Sequence, residues 1–136
     1  IGVFGYAIEK IIKKISGKLR VVENQIYDQT NNSESLRLAV NNTNKGNILF
    51  LHGDLYFNDK TFSNLNYKKS FITGKELKIL KNILYKLQGS QKKLLSFEII
   101  NKMISMGANF ACHEPEDMSI IEIDCIKDLK NENFNF

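Results

Sequence analysis

The chain opens on a short apolar run, Ile1–Phe4, that stops at Gly5 and reads as the end of a buried strand. Ile8, Ile11, Ile12 and Ile15 then recur at helical spacing, with Glu9, Lys10, Lys13 and Lys14 on the other side. This predicts an amphipathic helix closed by Gly17. Leu19–Val22 is a second strand-like run, and residues 23–32 are polar and rich in turn formers. Ser33–Val40 places Leu36, Ala39 and Val40 on one helical face, with Asn32 or Ser33 as its cap. After the loop Asn41–Gly46, the wholly apolar run Ile48–Leu51 has the pattern of a strand covered on both faces. Strand, helix, strand, helix, strand in this order predicts right-handed βαβ units and a parallel sheet.

The rhythm changes after residue 58. Asn58–Ser70 is polar and aperiodic. Thr73-Gly-Lys-Glu76 has the spacing of a capping box. It leads into a helix with Leu77, Leu80, Ile83, Leu84 and Leu87 on one face. Gln88–Lys93 is a loop. Ser96–Met106 is a further helix carrying Phe97, Ile100, Met103 and Ile104, and Gly107 ends it. Asn109–Cys112 and Ser119–Ile123 are strand candidates, Pro115 marks a turn between them, and Ile126–Lys130 is a short helical turn. The expected organisation is one partial domain over 1–136, with a βαβαβ half at 1–58, helices and a last strand at 74–131, and a tail at 132–136.

Composition adjusts this picture only slightly. With 43% hydrophobic and 25% charged residues in 136, an ordinary core is expected and disorder is not. No apolar run approaches the ~18 residues of a membrane span, so membrane insertion is not expected. Ile1-Gly-Val-Phe-Gly-Tyr6 has neither the basic lead nor the apolar stretch of a signal peptide, and the chain is expected to be part of something longer. The net charge is +4, but only Arg20 and Arg37 among the 19 cations are arginines, the residue best suited to bidentate contacts with bases and phosphates. The lysines fall on polar helix faces or in loops without interleaved aromatics, so a nucleic-acid partner is not expected. Cys112 and Cys125 form no CxxC; two reduced, semi-buried thiols of a cytoplasmic protein are expected.

Three constellations carry candidate chemistry. His52-Gly-Asp54 follows the apolar run, and ligands of parallel sheets bind outside the carboxyl ends of the strands. An Asp there, after a turn-forming Gly, can hold a metal or simply cap the turn. Glu122-Ile-Asp124 sets two carboxylates on one side of a strand. With a third carboxylate they suit Mg²⁺, which takes oxygen ligands and substrate phosphates; alternatively Asp124 caps the turn that follows. Thr30-Asn31-Asn32-Ser33-Glu34-Ser35 runs into a helix start, whose N–H groups bind anions or hydrogen-bonding rings or are met by ordinary capping.

Taken in order, these residues resemble the sugar-nucleotidyltransferase superfamily, and within it the bacterial choline-phosphate cytidylyltransferases. The matching pieces are Val3-Phe-Gly-Tyr6 before a helix, Val21-Val-Glu-Asn24 with Tyr27, Thr30-Asn-Asn32 with Ser35-Leu36, Leu49-Phe-Leu-His-Gly-Asp54, and Glu122-Ile-Asp124 with Asp128-Leu129. A helix with Glu98 and Asn101 precedes the last strand. The resemblance covers most of 1–58 and 74–131. It implies a Rossmann-like three-layer α/β/α fold with a mainly parallel sheet, here incomplete. It also implies Mg²⁺-dependent transfer of CMP from CTP to phosphocholine, giving CDP-choline and pyrophosphate. Asp54 and Asp124 would be the catalytic metal ligands, with Glu122 assisting, and Thr30, Asn31, Asn32 and Ser35 would line the nucleotide, Ser35 meeting the base.

The family's glycine-rich phosphate loop, with its basic residue, has no counterpart in this sequence, and the stretch between Phe57 and Lys75 is short for the family. Activity is therefore expected to be impaired. Tyr6, Tyr27, Tyr56 and Phe57 are the aromatic candidates for a quaternary ammonium. Two other outcomes stay open: a non-catalytic binding or oligomerisation module that self-associates through an exposed sheet edge, and a nucleotidyltransferase for another phosphorylated acceptor such as a sugar phosphate.

Overall fold

Two short parallel strands begin the architecture: β1 (Gly2–Phe4) pairs with β2 (Val21–Glu23), Gly2 opposite Val21 and Phe4 opposite Glu23. The bonding continues past both strand ends, from Gly2 N to Arg20 O (3.0 Å) and from Asn24 N to Phe4 O (2.8 Å). The computed structural model describes residues 1–44, 48–58, 61, 72, 74–111, 119–125, 127 and 128. They fall into two units, Ile1–Asn47 with Thr73–Phe110, and Ile48–Ile72 with Ala111–Phe136. This division cuts across the halves 1–58 and 74–131 read from the sequence.

The first unit is mixed α/β. Helix α1 (Ile8–Ile12) is shorter than its isoleucine pattern suggests. It begins at Ala7 in the left-handed region (φ 53°) with no side-chain cap, and it buries no residue. Ile12 and Ile15 remain exposed, because an isoleucine face needs a partner and β1 and β2 contribute only three residues each. Helix α2 (Asn32–Asn41) is capped by Asn31, whose side chain accepts from Asn32 N at 2.8 Å; the cap therefore lies one position earlier than the two read from the sequence. Arg20 ties the far end of α2 to the start of β2, donating to Asn42 O at 2.8 Å.

Helix α3 (Gly74–Tyr85) follows its pattern closely. Leu77, Leu80, Ile83 and Leu84 are buried along it, and Leu87 is buried just beyond. Thr73 lies outside the described residues, so the capping box read there does too. Helix α4 (Ser96–Ser105) turns differently from the reading above: Ile99 and Met103 are buried, whereas Phe97, Ile100 and Ile104 face water. The helix is apolar on two sides, and periodicity alone does not choose between them. Val40 of α2 and Ala108 complete this core. Gly107, at φ 82°, lets the chain leave α4 in the left-handed conformation.

The loop Gln88–Lys93 contains a 3₁₀ turn, Gly89–Lys93, set against the start of α2. Its carbonyls meet helix donors: Asn31 N reaches Lys92 O (3.0 Å) and Ser33 N reaches Leu94 O (3.1 Å). The N-terminus of α2 is thus satisfied from within the unit.

The second unit is antiparallel. β3 (Leu55–Phe57) pairs with β4 (Ile120–Glu122), Leu55 opposite Glu122 and Phe57 opposite Ile120. The expected parallel strand Ile48–Leu51 is not formed; Ile48 makes a single antiparallel bridge to Ile72, and Leu49 and Leu51 are exposed. An apolar run becomes a buried central strand only with neighbours on both edges, and among the described residues only the single bridge to Ile72 meets it. Residues 109–111 form no strand either. Cys112, Pro115, Ile126, Leu129, Lys130, Lys68, Lys69 and the tail lie outside the described residues. Among those described, no helix is long and apolar enough to cross a membrane.

Candidate functional site

Gly53 and Asp54 form the turn immediately before β3, so Asp54 stands at the beginning of a strand and not, as expected, just after one. The ladder extends one step beyond its last pair, Ile123 N donating to Asp54 O at 2.7 Å. That bond brings the turn alongside the end of β4. Glu122 and Asp124 lie on one side of that segment by the two-residue period. Asp54, in the turn, is outside the alternation of β3 and comes to meet them. One carboxylate oxygen from each of Asp54, Glu122 and Asp124 lies within 4.8 Å of the others, and all three side chains are exposed.

A fourth acid supports this arrangement from the backbone. Asp128 Oδ2 accepts from Asp124 N (2.9 Å) and Cys125 N (2.7 Å), closing the turn that follows β4. The Cys125 N–H, with help from Asp124 N–H, holds the Asp128 carboxyl below the ordinary aspartate range. The capping role read as an alternative for Asp124 belongs to Asp128. Cys125 itself is a free, exposed thiol where a semi-buried one was expected.

The donor set is all oxygen and all anionic, the chemistry that hard divalent cations select. Oxygens sharing one Mg²⁺ at about 2.1 Å lie about 3.0 Å apart when adjacent and about 4.2 Å apart when opposite. The three carboxylate oxygens, within 4.8 Å of one another, would draw together to share such an ion.

The residues predicted to line the nucleotide belong to the first unit. Asn31 caps α2, and Asn32 Nδ2 donates to Ser96 Oγ at 3.3 Å. Thr30 Oγ1 donates to Ile26 O at 2.8 Å. Thr30 and Ser35 both receive hydrogen bonds from Asn24 Nδ2, each at 3.3 Å, so these two hydroxyls meet at one buried amide. Tyr6 and Tyr27 pair with ring centroids 5.7 Å apart beyond the ends of β1 and β2. A Cβ on Gly5 would collide with the Tyr27 side chain, so the close approach of this loop requires glycine. Tyr56 and Phe57 lie in β3 of the second unit and are half-buried.

Sequence reasoning missed a buried ion cluster beside this segment. Glu34 is buried in the first turn of α2, and Arg37 grips it with two bonds of 2.8 and 2.7 Å. Lys92 of the 3₁₀ turn stands 3.6 Å from the same carboxylate. The Arg37 guanidinium holds the Glu34 carboxyl below the usual glutamate range, against the opposing effect of burial, and Lys92 adds to it. Glu34 in turn raises Arg37. The i,i+3 spacing of Glu34 and Arg37 was visible in the sequence; the long-range partner was not.

Comparison with known proteins finds no family model, no curated protein and no solved structure that matches this chain.

Proposed function

We propose that the chain binds a divalent cation of the Mg²⁺ type through Asp54, Glu122 and Asp124, and that this site serves nucleotidyl transfer. The convergence of three carboxylates from two strand ends carries the reading. The resemblance noted in the sequence supplies the reaction: an oxygen of phosphocholine's phosphate bonds to the α-phosphorus of CTP, the α–β bridge breaks, and pyrophosphate leaves. On this reading the parallel pair β1–β2 with its helices belongs to a Rossmann-like domain. A Mg²⁺ ion on the carboxylates would neutralise the nucleotide phosphates when bound. Asp54 and Asp124 act as ligands, Glu122 assists, and Asp128 holds the backbone of Asp124 in place. By the resemblance, Thr30, Asn31, Asn32 and Ser35 of the first unit are the candidates to line a nucleoside.

The test is CDP-choline formation from CTP and phosphocholine, followed by mass spectrometry, beside a panel of other nucleotides and sugar phosphates. Product that requires Mg²⁺ and disappears in Asp54→Asn and in Asp124→Asn supports the reading. No product from any pair, together with Mg²⁺ affinity unchanged in both variants, overturns it.

A further inference from the structure

Helices α2 and α3 pack against each other in the first unit, and a hollow of about 470 Å³ opens beside their contact. That volume lies within the roughly 300–1,000 Å³ of small-molecule sites. Val40, buried between the helices, gives it an apolar patch. Asn41 and Asn44 border it from the end of α2 and just beyond, and Lys81, Asn82 and Tyr85 border it from α3. Among the described residues, none of these five polar side chains has a hydrogen-bond or ion-pair partner. Tyr85, at 84%, is the most exposed large hydrophobic side chain described. Lys78 stands one turn before Lys81 and Asn82 on the same exposed side of α3. No acid is among the described residues that line the hollow.

These groups select a ligand by their chemistry. Two ammonium groups with no acid against them favour an anion of small charge, too few for a nucleic-acid backbone. A carboxamide offers a donor and an acceptor side by side, which matches N6–H and N7 of adenine. Guanine presents two acceptors on that edge and satisfies only half of the pattern. An uncovered phenol ring is a stacking surface for a base. We infer that this hollow is a second ligand site that takes an adenine mononucleotide, with the base on Tyr85, its outer edge on the carboxamides and its phosphate at Lys81 and Lys78. The site lies at the end of α2 away from Thr30–Ser35. It uses neither that segment nor the three carboxylates, so binding there needs no metal.

The experiment is calorimetric titration of AMP into the chain with chelator present, beside GMP, glucose 6-phosphate and inorganic phosphate. The variants are Tyr85→Ala, Lys81→Gln and Ser35→Ala, with thermal melts to establish that each folds. The wild type is expected to bind AMP about tenfold more tightly than GMP, the discrimination of one paired carboxamide. Tyr85→Ala is expected to weaken AMP by about tenfold or more, the loss of one stacked base. Lys81→Gln weakens it too, most clearly at low salt, and Ser35→Ala leaves it unchanged. A wild-type chain that ignores AMP, or that binds GMP, glucose 6-phosphate or phosphate as tightly, overturns the inference. AMP binding undiminished in Tyr85→Ala does the same. Should that variant not fold, undiminished binding in Lys81→Gln at low salt overturns it equally. AMP binding lost in Ser35→Ala and kept in Tyr85→Ala would put the nucleotide at the start of α2, which overturns this site and leaves the reading of Thr30–Ser35 standing.

Discussion

Glu34 shows how one residue can be read correctly in place while its role goes unread. Its position in a polar stretch at a helix start is plain from the sequence, and acids in the first turn are favourable there. What the structure adds is Arg37 on both of its oxygens and Lys92 beyond. Because its folded-state carboxyl titrates below the unfolded one, Glu34 contributes stability that is complete above the ordinary glutamate range, near pH 4.5, and is lost as pH falls through the folded value. Glu34→Gln should therefore flatten the acid side of the stability–pH curve measured by urea melts, and an unaltered acid slope would contradict the ion cluster. Arg37→Ala leaves a buried carboxylate with Lys92 alone and should cost on the order of 2 kcal/mol at neutral pH. At the carboxylate cluster the sign is opposite. Glu122→Gln relieves repulsion among three charges, so the melting temperature without divalent ions should rise slightly while the stabilisation by Mg²⁺ shrinks. A fall in the metal-free melting temperature would argue that Glu122 holds the fold and not an ion.

Among the elements, α3 was the most legible and α4 the least, for related reasons. The five apolar residues of α3 and its exit occupy one face and lysines the others, so only one orientation buries them. Leu84 is fully buried, and Leu84→Ala should cost about 2–5 kcal/mol with a matching loss of the urea midpoint. A much smaller loss would place this helix outside the core. In α4, Ile99 and Met103 form one apolar line and Phe97, Ile100 and Ile104 another; which line turns inward is decided by α3 and not by α4's own sequence. Ile100→Ala is accordingly expected to cost far less than Met103→Ala. β1, β2 and β4 were legible as apolar runs, and the parallel pairing of β1 with β2 followed from their order, whereas Leu55–Phe57 was not read as a strand. Ile48–Leu51 has the composition of a central strand, yet pairing depends on which segments arrive beside it, and the tighter partnership formed at Leu55–Phe57 with Ile120–Glu122.

For the whole molecule, the parallel pair β1–β2 agrees with an α/β reading and the antiparallel pair β3–β4 departs from a wholly parallel sheet. Sequence order alone could not show that Asp54 and Glu122-Ile-Asp124, separated by more than sixty positions, meet at the ends of two paired strands. The periodicity identified Glu122 and Asp124 as neighbours on one face, and the antiparallel register supplied Asp54. The central claim is that this meeting point binds a divalent cation in the service of a nucleotide. Its most direct test is a thermal melt of the wild-type chain and of Asp54→Asn/Asp124→Asn, each with CTP and Mg²⁺ and each with CTP and chelator. Ligand at about a hundredfold excess over Kd adds roughly 2.7 kcal/mol to the native state. The account predicts a higher melting temperature for the wild type with CTP and Mg²⁺ only, and no such rise in the double variant. A melt indifferent to Mg²⁺ and CTP, or a rise that persists when both aspartates are gone, would contradict it.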